Sequence, residues 1–125
     1  MARVLVIDDD VFMREIISVA LENTEFAVDE AEGGAQGLAR QRAQPADLVI
    51  ADMGLPDCDG LDVIRTLRQE YPKTAVIAIS GGGNVAEREL FPQARALGVR
   101  RTMMKPFHLQ DMLCNISEIV GGGAV

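Results

Sequence analysis

Short apolar runs alternate with amphipathic stretches along most of the chain. Three runs of four or five residues are apolar throughout, which is typical of strands buried on both faces of a parallel sheet. Two further runs contain polar residues and predict less buried strands. The first group covers residues 4–7, 48–51 and 75–79, and the second covers residues 26–30 and 101–104.

The stretches between these runs carry apolar residues at steps of three or four, the spacing of an amphipathic helix. The first helix is expected to begin after Asp10 and the third after Asp59, because an aspartate side chain accepts hydrogen bonds from the first amides of a helix. Pro72 ends the third helix, since the residue before a proline disfavours helical backbone. The predicted helices cover about residues 13–21, 34–41, 61–70 and 109–120, and the expected core face of the first is Met13, Ile16, Ile17, Ala20 and Leu21.

One region gives a mixed pattern. Three glycines follow Ser80, and Pro92 falls inside an otherwise helical stretch from 85 to 97, where it would kink or restart a helix. We therefore expect a mobile segment from Gly81 to about Phe91. The glycines at 121–123 predict a frayed end.

Strand and helix alternate five times, which predicts an α/β fold with a doubly wound parallel sheet and right-handed crossovers. The 125 residues suit one compact domain, and we expect a single domain over residues 1–125. In sheets of this kind a ligand site forms outside the carboxyl ends of the strands. The residues that follow each predicted strand are therefore the candidates for chemistry.

Composition and charge narrow the function classes. A net charge of −7 would repel nucleic acid and anionic membrane surfaces. No apolar run is long enough to span a bilayer and no cleavable leader precedes the first strand, so we expect a soluble, cytoplasmic protein. Cys58 and Cys114 lack the spacing of a zinc site and the chain has one histidine, His108, so we expect two reduced thiols without a function.

Acidic residues follow two of the buried strands. Asp8, Asp9 and Asp10 follow the first, and Asp52 follows the third. Two carboxylates about 4 Å apart repel by about 4 kcal/mol at an effective dielectric constant near 20, so the cluster needs a cation. Hard oxygen ligands with no histidine or cysteine nearby suit Mg²⁺. Asp10 is better explained as the cap of the first helix, whereas Asp8 and Asp9 are candidate ligands.

The fourth and fifth strands add a hydroxyl and a cation to the same edge. Ser80 follows the fourth strand and Lys105 follows the fifth. Lys105 would neutralise an additional anion and Ser80 could donate a hydrogen bond to it. Together with Asp52 as an oxygen nucleophile, these residues predict a phosphoryl site that forms an aspartyl phosphate. No general base is needed, because a carboxylate is already ionised.

Four segments together resemble the response regulator receiver domain of two-component signal transduction and phosphorelays. They are VLVIDDD at 4–10, ADMGLPDCDG at 51–60, AIS at 78–80 and KPF at 105–107, and the resemblance covers nearly the whole chain. It implies a flavodoxin-like five-stranded sheet with strand order 2-1-3-4-5. It also implies that Asp52 is phosphorylated, with a sensor histidine kinase or a histidine phosphotransfer protein as donor and an unidentified protein as the output partner.

The resemblance also assigns roles within the site. It implies that Asp9 and Asp52 bind Mg²⁺, that Asp8 supports the metal through water, and that the backbone carbonyl of Gly54 supplies another ligand. By the same resemblance, Ser80 takes a phosphoryl oxygen in the active state and Lys105 pairs with the phosphate. Such a protein is a signalling switch that promotes its own phosphotransfer and dephosphorylation rather than an enzyme.

Two features depart from the family pattern. The aromatic residue expected three positions before the lysine is replaced by Thr102, and the glycine run after Ser80 is looser than usual. We therefore hypothesise that signalling relies on ordering of residues 81–91 rather than on movement of an aromatic ring.

Three alternatives to a phosphorylated receiver fit the sequence less well. A haloacid-dehalogenase-like phosphatase also uses an aspartate on its first strand, but Phe12 stands where that family has a hydroxyl or small β-branched residue, and no acidic pair follows the fourth strand. A flavodoxin-like electron carrier needs a phosphate-binding loop, and three aspartates have the wrong charge for one. A receiver that has lost its chemistry and only binds proteins would not need the complete set of acids, Ser80 and Lys105.

Overall fold

Five parallel strands form one sheet in the order β2-β1-β3-β4-β5. The computed structural model describes residues 2–81 and 89–120. The strand order and the doubly wound α/β fold agree with the expectation from sequence. The strands are β1 (Arg3–Ile7), β2 (Ala27–Ala31), β3 (Leu48–Asp52), β4 (Ala75–Ser80) and β5 (Arg101–Met104).

Five helices lie in the described part of the chain. The Asp10 side chain caps the first by accepting from the amides of Phe12 and Met13, and Asp59 caps the third by accepting from Leu61. Both caps were predicted. The helices are α1 (Val11–Leu21), α2 (Gly34–Ala43), α3 (Gly60–Glu70), α4 (Phe91–Ala96) and α5 (Leu109–Val120).

Helix α4 begins at Phe91 and carries Pro92 in its first turn, where the missing N–H of proline costs no helical hydrogen bond. The proline therefore starts a helix here, one of the two outcomes that the sequence left open. Most of the segment predicted to be mobile, the first part of the helix predicted from residue 85, and the glycines at 121–123 lie outside the described residues.

The sheet separates two apolar layers. Side chains of a strand alternate between faces, so Leu5 and Ile7 enter one layer and Val4 and Val6 enter the other. The first layer also contains residues of α3 and α4, and the second contains residues of α1 and α5. Strands β3 and β4 are buried at every position, which explains why each is apolar up to its last residue, Asp52 in β3 and Ser80 in β4.

The predicted core face of α1 was wrong at one position. Ile17 and Leu21 are buried, whereas 48% of Ile16 is exposed. Ile16 shares the outer side of the helix with Phe12 and Val19, which are 71% and 61% exposed and stand four and three residues away. Apolar spacing alone could not separate the two sides, because both carry large aliphatic residues.

Strand register places the ends of four strands at one level. Ile7 pairs with Ala51, Asp52 with Ile79, and Ser80 with Met104. The residues that follow β1, β3, β4 and β5 therefore converge on one edge of the sheet.

Strand β2, at the side of the sheet, begins at Ala27, one residue later than predicted. None of the described helices is long and apolar enough to cross a membrane.

Candidate functional site

Three carboxylates meet at the carboxyl edge of the sheet. Asp8, Asp9 and Asp52 each place one carboxylate oxygen within 4.8 Å of the others. Asp8 is fully buried and Asp52 is 5% exposed, whereas Asp9 is exposed. Asp10 turns its side chain to the amides of α1, as expected of a helix cap. The structure thus brings together the three aspartates that the sequence selected as candidate ligands.

Asp8 is held on both carboxylate oxygens. Its Oδ1 accepts a hydrogen bond from the amide of Asp10 at 2.9 Å. Its buried Oδ2 has no well-aligned hydrogen-bond donor among the described residues and is compensated by the ammonium of Lys105, with Nζ 2.8 Å away. A buried carboxylate is costly unless it is paired, so this ion pair offsets part of the cost of burying Asp8.

The carboxylate of Asp52 is nearly buried and lies close to a main-chain amide and to the ammonium of Lys105. Its Oδ1 accepts from the amide of Gly54 at 3.1 Å, and its Oδ2 lies 3.6 Å from Lys105 Nζ. Burial, with a smaller contribution from the charge of Asp8, raises the pKa of Asp52 from 3.8 to about 6, although the Gly54 amide and Lys105 act in the opposite direction. At neutral pH the carboxylate is mostly ionised and can act as a nucleophile.

Lys105 remains a cation despite its position. Burial alone would lower its pKa, but the close contact with the Asp8 carboxylate and the charges of Asp52 and Asp8 outweigh this effect and the net pKa is raised. Its own amide donates to the carbonyl of Ser80 at 2.7 Å, so the chain after β5 is tied to the end of β4. The peptide bond between Lys105 and Pro106 is cis.

The remaining predicted residues take three different positions. Ser80 is fully buried at the end of β4, next to the acidic cluster in the sheet. Gly54 is exposed and contacts Asp52 through its amide. Thr102 lies on β5, and its hydroxyl accepts a hydrogen bond from Arg95 Nη2 at 3.1 Å. Cys58 and Cys114 are free thiols, as expected.

The charges and ligand atoms of the cluster fit a divalent cation. Three carboxylates face one ammonium, which leaves a formal charge of −2 at the site when all four groups are ionised. The ligand atoms that the cluster offers are carboxylate oxygens, and oxygen ligands of this kind suit Mg²⁺. The donor set therefore agrees with the cation that the sequence indicated.

Two neighbours of the site received no role from sequence. Asp57, in the loop that follows Asp52, accepts from the amides of Gly34 and Ala35 and so caps α2 from 23 and 22 residues away. One signal was available, because the predicted start of α2 has glycine where a capping side chain is usual. Arg14 is the second neighbour and donates to the carbonyl of Asp8 at 2.6 Å. No local pattern in the sequence indicates that contact.

Comparison with known proteins assigns the family. The family model for the response regulator receiver domain matches residues 4–117. The chain belongs to this family. The receiver domain is a component of two-component signalling and acts there as a signalling switch.

Individual relatives agree with this assignment. The cell cycle response regulator CtrA of Brucella abortus is 30% identical over 118 residues, which make up 94% of this chain and 50% of that protein. The chain thus spans about half the length of the curated relatives it matches. A receiver domain protein from Clostridium thermocellum superposes with a TM-score of 0.86 at 28% identity, covering 99% of this chain and 98% of that one. A CheY-like receiver from Methanospirillum hungatei JF-1 gives 0.83 at 25% identity, covering 94% and 92%.

Proposed function

We propose that this receiver domain, a single domain over residues 1–125, accepts a phosphoryl group on Asp52 in a Mg²⁺-dependent reaction. The donor is a phosphohistidine of a sensor histidine kinase or of a histidine phosphotransfer protein, and the output passes to a protein partner. One observation carries the proposal: the nearly buried carboxylate of Asp52 lies within 4.8 Å of two other carboxylates and 3.6 Å from the ammonium of Lys105.

The transfer needs little from the protein beyond position and charge. An oxygen of the Asp52 carboxylate attacks phosphorus, a P–O bond forms, and the bond from phosphorus to the donor breaks. With acetyl phosphate as donor, acetate leaves with the electron pair and no proton moves. With phosphohistidine, the leaving nitrogen takes the electron pair and its proton comes from solvent. Because Asp52 is mostly ionised at neutral pH, no base is required.

Four residues would hold the cation. The carboxylates of Asp9 and Asp52 and the carbonyl of Gly54 would be direct ligands, and Asp8 would act through water. Bound Mg²⁺ would neutralise charge on the transferring phosphoryl group. Asp9 is exposed and can adjust to a ligand, whereas Asp8 is already engaged by Lys105 and by the amide of Asp10, which suits an indirect role.

Ser80 and Lys105 would act on the product. Phosphorylation adds about −1.5 to −2 charges and three acceptor oxygens. Lys105 Nζ already lies 3.6 Å from Asp52 Oδ2, so it can pair with the phosphate with little movement. Ser80 ends the strand next to β3, and its hydroxyl would donate to a phosphoryl oxygen. Because the Lys105 amide is bound to the Ser80 carbonyl, a shift of either residue reaches the other strand.

Intact mass spectrometry after incubation with acetyl phosphate and Mg²⁺ tests the proposal. We expect one phosphoryl group per chain, and none for Asp52→Asn or in the presence of EDTA. Asp62→Asn is the matched control, because Asp62 is an exposed aspartate on α3 that pairs with Arg65 and lies outside the acidic cluster. That variant should be labelled like the unsubstituted chain. A chain that stays unmodified under every condition, or an adduct that survives in Asp52→Asn, would rule the proposal out.

A further inference from the structure

The side chain of Arg14, on the first turn of α1, contacts the loop after β1, which carries Asp8 and Asp9 of the acidic cluster. Only 14% of this side chain is exposed. Its Nη1 donates to the backbone carbonyl of Asp8 at 2.6 Å. A hydrogen bond from a charged donor is stronger than a neutral one, so the contact restricts the carbonyl to one direction.

Two further residues orient the guanidinium. Arg14 Nε lies 3.3 Å from Glu30 Oε1, and Glu30 Oε2 accepts from the hydroxyl of Ser18 at 3.0 Å. The three side chains join α1, strand β2 and the loop after β1. The Glu30 side chain is 43% exposed, and ion pairs with that much solvent contact contribute little to stability. Stability alone therefore gives a weak reason for this arrangement.

The consequence falls on Asp9. The amide of Asp8 donates to the carbonyl of Ala31 at 3.0 Å, and its carbonyl is held by Arg14, so the main chain of Asp8 is fixed on both sides. Among residues 2–81 and 89–120, no group donates to the Asp9 carboxylate. Because the peptide between Asp8 and Asp9 is planar, fixing the Asp8 carbonyl also fixes the position of the Asp9 amide and Cα. The amide of Asp10 donates to Asp8 Oδ1 at 2.9 Å, which restricts the main chain on the other side of Asp9 and leaves mainly the side-chain rotamer free to adjust.

We infer that Arg14 is a positioning residue for the cation site: it holds the Asp8 carbonyl so that the Asp9 carboxylate stands beside Asp8 and Asp52. The inference rests on the proposed function, because it concerns the affinity of that site for Mg²⁺. It assigns Arg14 no contact with the cation or with phosphate.

Electrostatics and positioning predict opposite effects of removing Arg14. Taking away a positive charge from the neighbourhood of three carboxylates reduces repulsion of a cation, so charge alone would tighten Mg²⁺ binding. Loss of the hydrogen bond would free the Asp8–Asp9 peptide and weaken binding. Substitution of a residue that orients a metal ligand without contacting the metal typically lowers metal affinity by about 10- to 100-fold. The sign of the change therefore distinguishes the two effects.

Isothermal titration of the complete chain with Mg²⁺ provides the test. We expect Arg14→Met to weaken Mg²⁺ affinity by about 10-fold or more. Arg40→Met is the matched control, because Arg40 is another arginine of the same surface cleft, paired with Asp29 and without a contact to the Asp8 carbonyl. It should bind Mg²⁺ as tightly as the unsubstituted chain or slightly more tightly. Equal or tighter binding by Arg14→Met would overturn the inference.

Two additional measurements keep the outcomes separate. Glu30→Gln retains Arg14 but removes the charge that orients it, which covers the case in which Arg14→Met does not fold. Glu32→Gln removes one negative charge from the same cleft without a contact to Arg14, so Glu30→Gln should weaken Mg²⁺ affinity more than Glu32→Gln does. Equal affinities of these two variants count against the inference. If the unsubstituted chain itself binds no Mg²⁺, both the proposed function and this inference fall. If it binds Mg²⁺ and is phosphorylated while Arg14→Met is unaffected, only the inference falls.

Discussion

Replacing Asp52 with asparagine is expected to stabilise the cation-free protein, because the substitution removes a charge that folding buries. Asparagine has the same shape, and its Oδ1 can still accept from the amide of Gly54, which donates to Asp52 Oδ1 at 3.1 Å. Its amide group can donate to the buried carboxylate of Asp8. The variant therefore keeps the packing and changes the electrostatics.

The size of the effect follows from the pKa. Burial raises the pKa of Asp52 from 3.8 to about 6. Each pKa unit corresponds to about 1.4 kcal/mol, so ionisation costs the folded state up to about 3 kcal/mol. Solvent reaches part of the carboxylate and screens the charge, which reduces the expected gain in the free energy of unfolding to roughly 1–2 kcal/mol.

Urea unfolding at two pH values measures the gain and its sign. The folded-state pKa lies above the unfolded one, so the stabilising effect of protonating Asp52 is full below pH 3.8 and is lost as the pH rises through about 6. The difference between variant and parent should be largest at pH 8 and fall by about half at pH 5. Far-UV circular dichroism is the suitable signal, since the chain contains no tryptophan.

Addition of Mg²⁺ provides a second test of the same substitution. A ligand that binds only the folded state stabilises it by mass action, so saturating Mg²⁺ should raise the free energy of unfolding of the parent more than that of Asp52→Asn. Glu25→Gln removes one charge from an exposed position and controls for net charge. A variant that is no more stable than the parent in EDTA at pH 8 would refute the reasoning from burial.

Three further substitutions test neighbouring features. Lys105→Met should raise the pKa of Asp52, because it removes a cation 3.6 Å from Oδ2. Carbon-13 NMR of the Asp52 carboxyl carbon in metal-free protein measures this pKa, and an unchanged or lower value would contradict the prediction. Asp57→Asn should lower the urea midpoint at pH 7, and the deficit should vanish as the pH falls below 3.8 through the lowered pKa of Asp57; a deficit that persists in acid would rule out a charge effect. Ile17→Ala should cost about 2–5 kcal/mol of unfolding free energy and Ile16→Ala under about 1 kcal/mol, and equal costs would show that the packing of α1 is misassigned.

The sequence predicted the central strands well for a physical reason. Strands β3 and β4 are buried on both faces, so every position before the last is apolar and the signal is unambiguous. Strand β2 lies at the edge and includes Asp29 and Glu30, which blurred its boundary by one residue. The residues at the carboxyl edge followed directly once the strands were placed, because parallel strands bring their ends to one side.

Contacts between a side chain and a main-chain group elsewhere in the chain could not be predicted from the sequence pattern. The Asp57 carboxylate reaches an amide 23 residues away, and Arg14 reaches back to the carbonyl of Asp8. Neither spacing is a helix or strand period, and both depend on how loops approach each other after the sheet has formed. The exposed position of Ile16 was missed for a related reason, because only the packing of α1 on the sheet decides which of its two apolar sides is covered.

The acidic cluster places repulsion between carboxylates next to the ends of strands that are buried at every residue. Strand β3 ends in Asp52 and β4 ends in Ser80, and both strands are buried at every residue, so they can tolerate repulsion at their ends. Contacts with the helices hold the loops next to the site. Asp57, in the loop after β3, accepts from the Gly34 amide of α2, and Arg14 of α1 donates to the carbonyl of Asp8. A change of charge at Asp52 should therefore alter these loop contacts before it disturbs the sheet. For a switch this is favourable, since the loops reach the surface where a partner can bind while the rigid strands keep the site assembled.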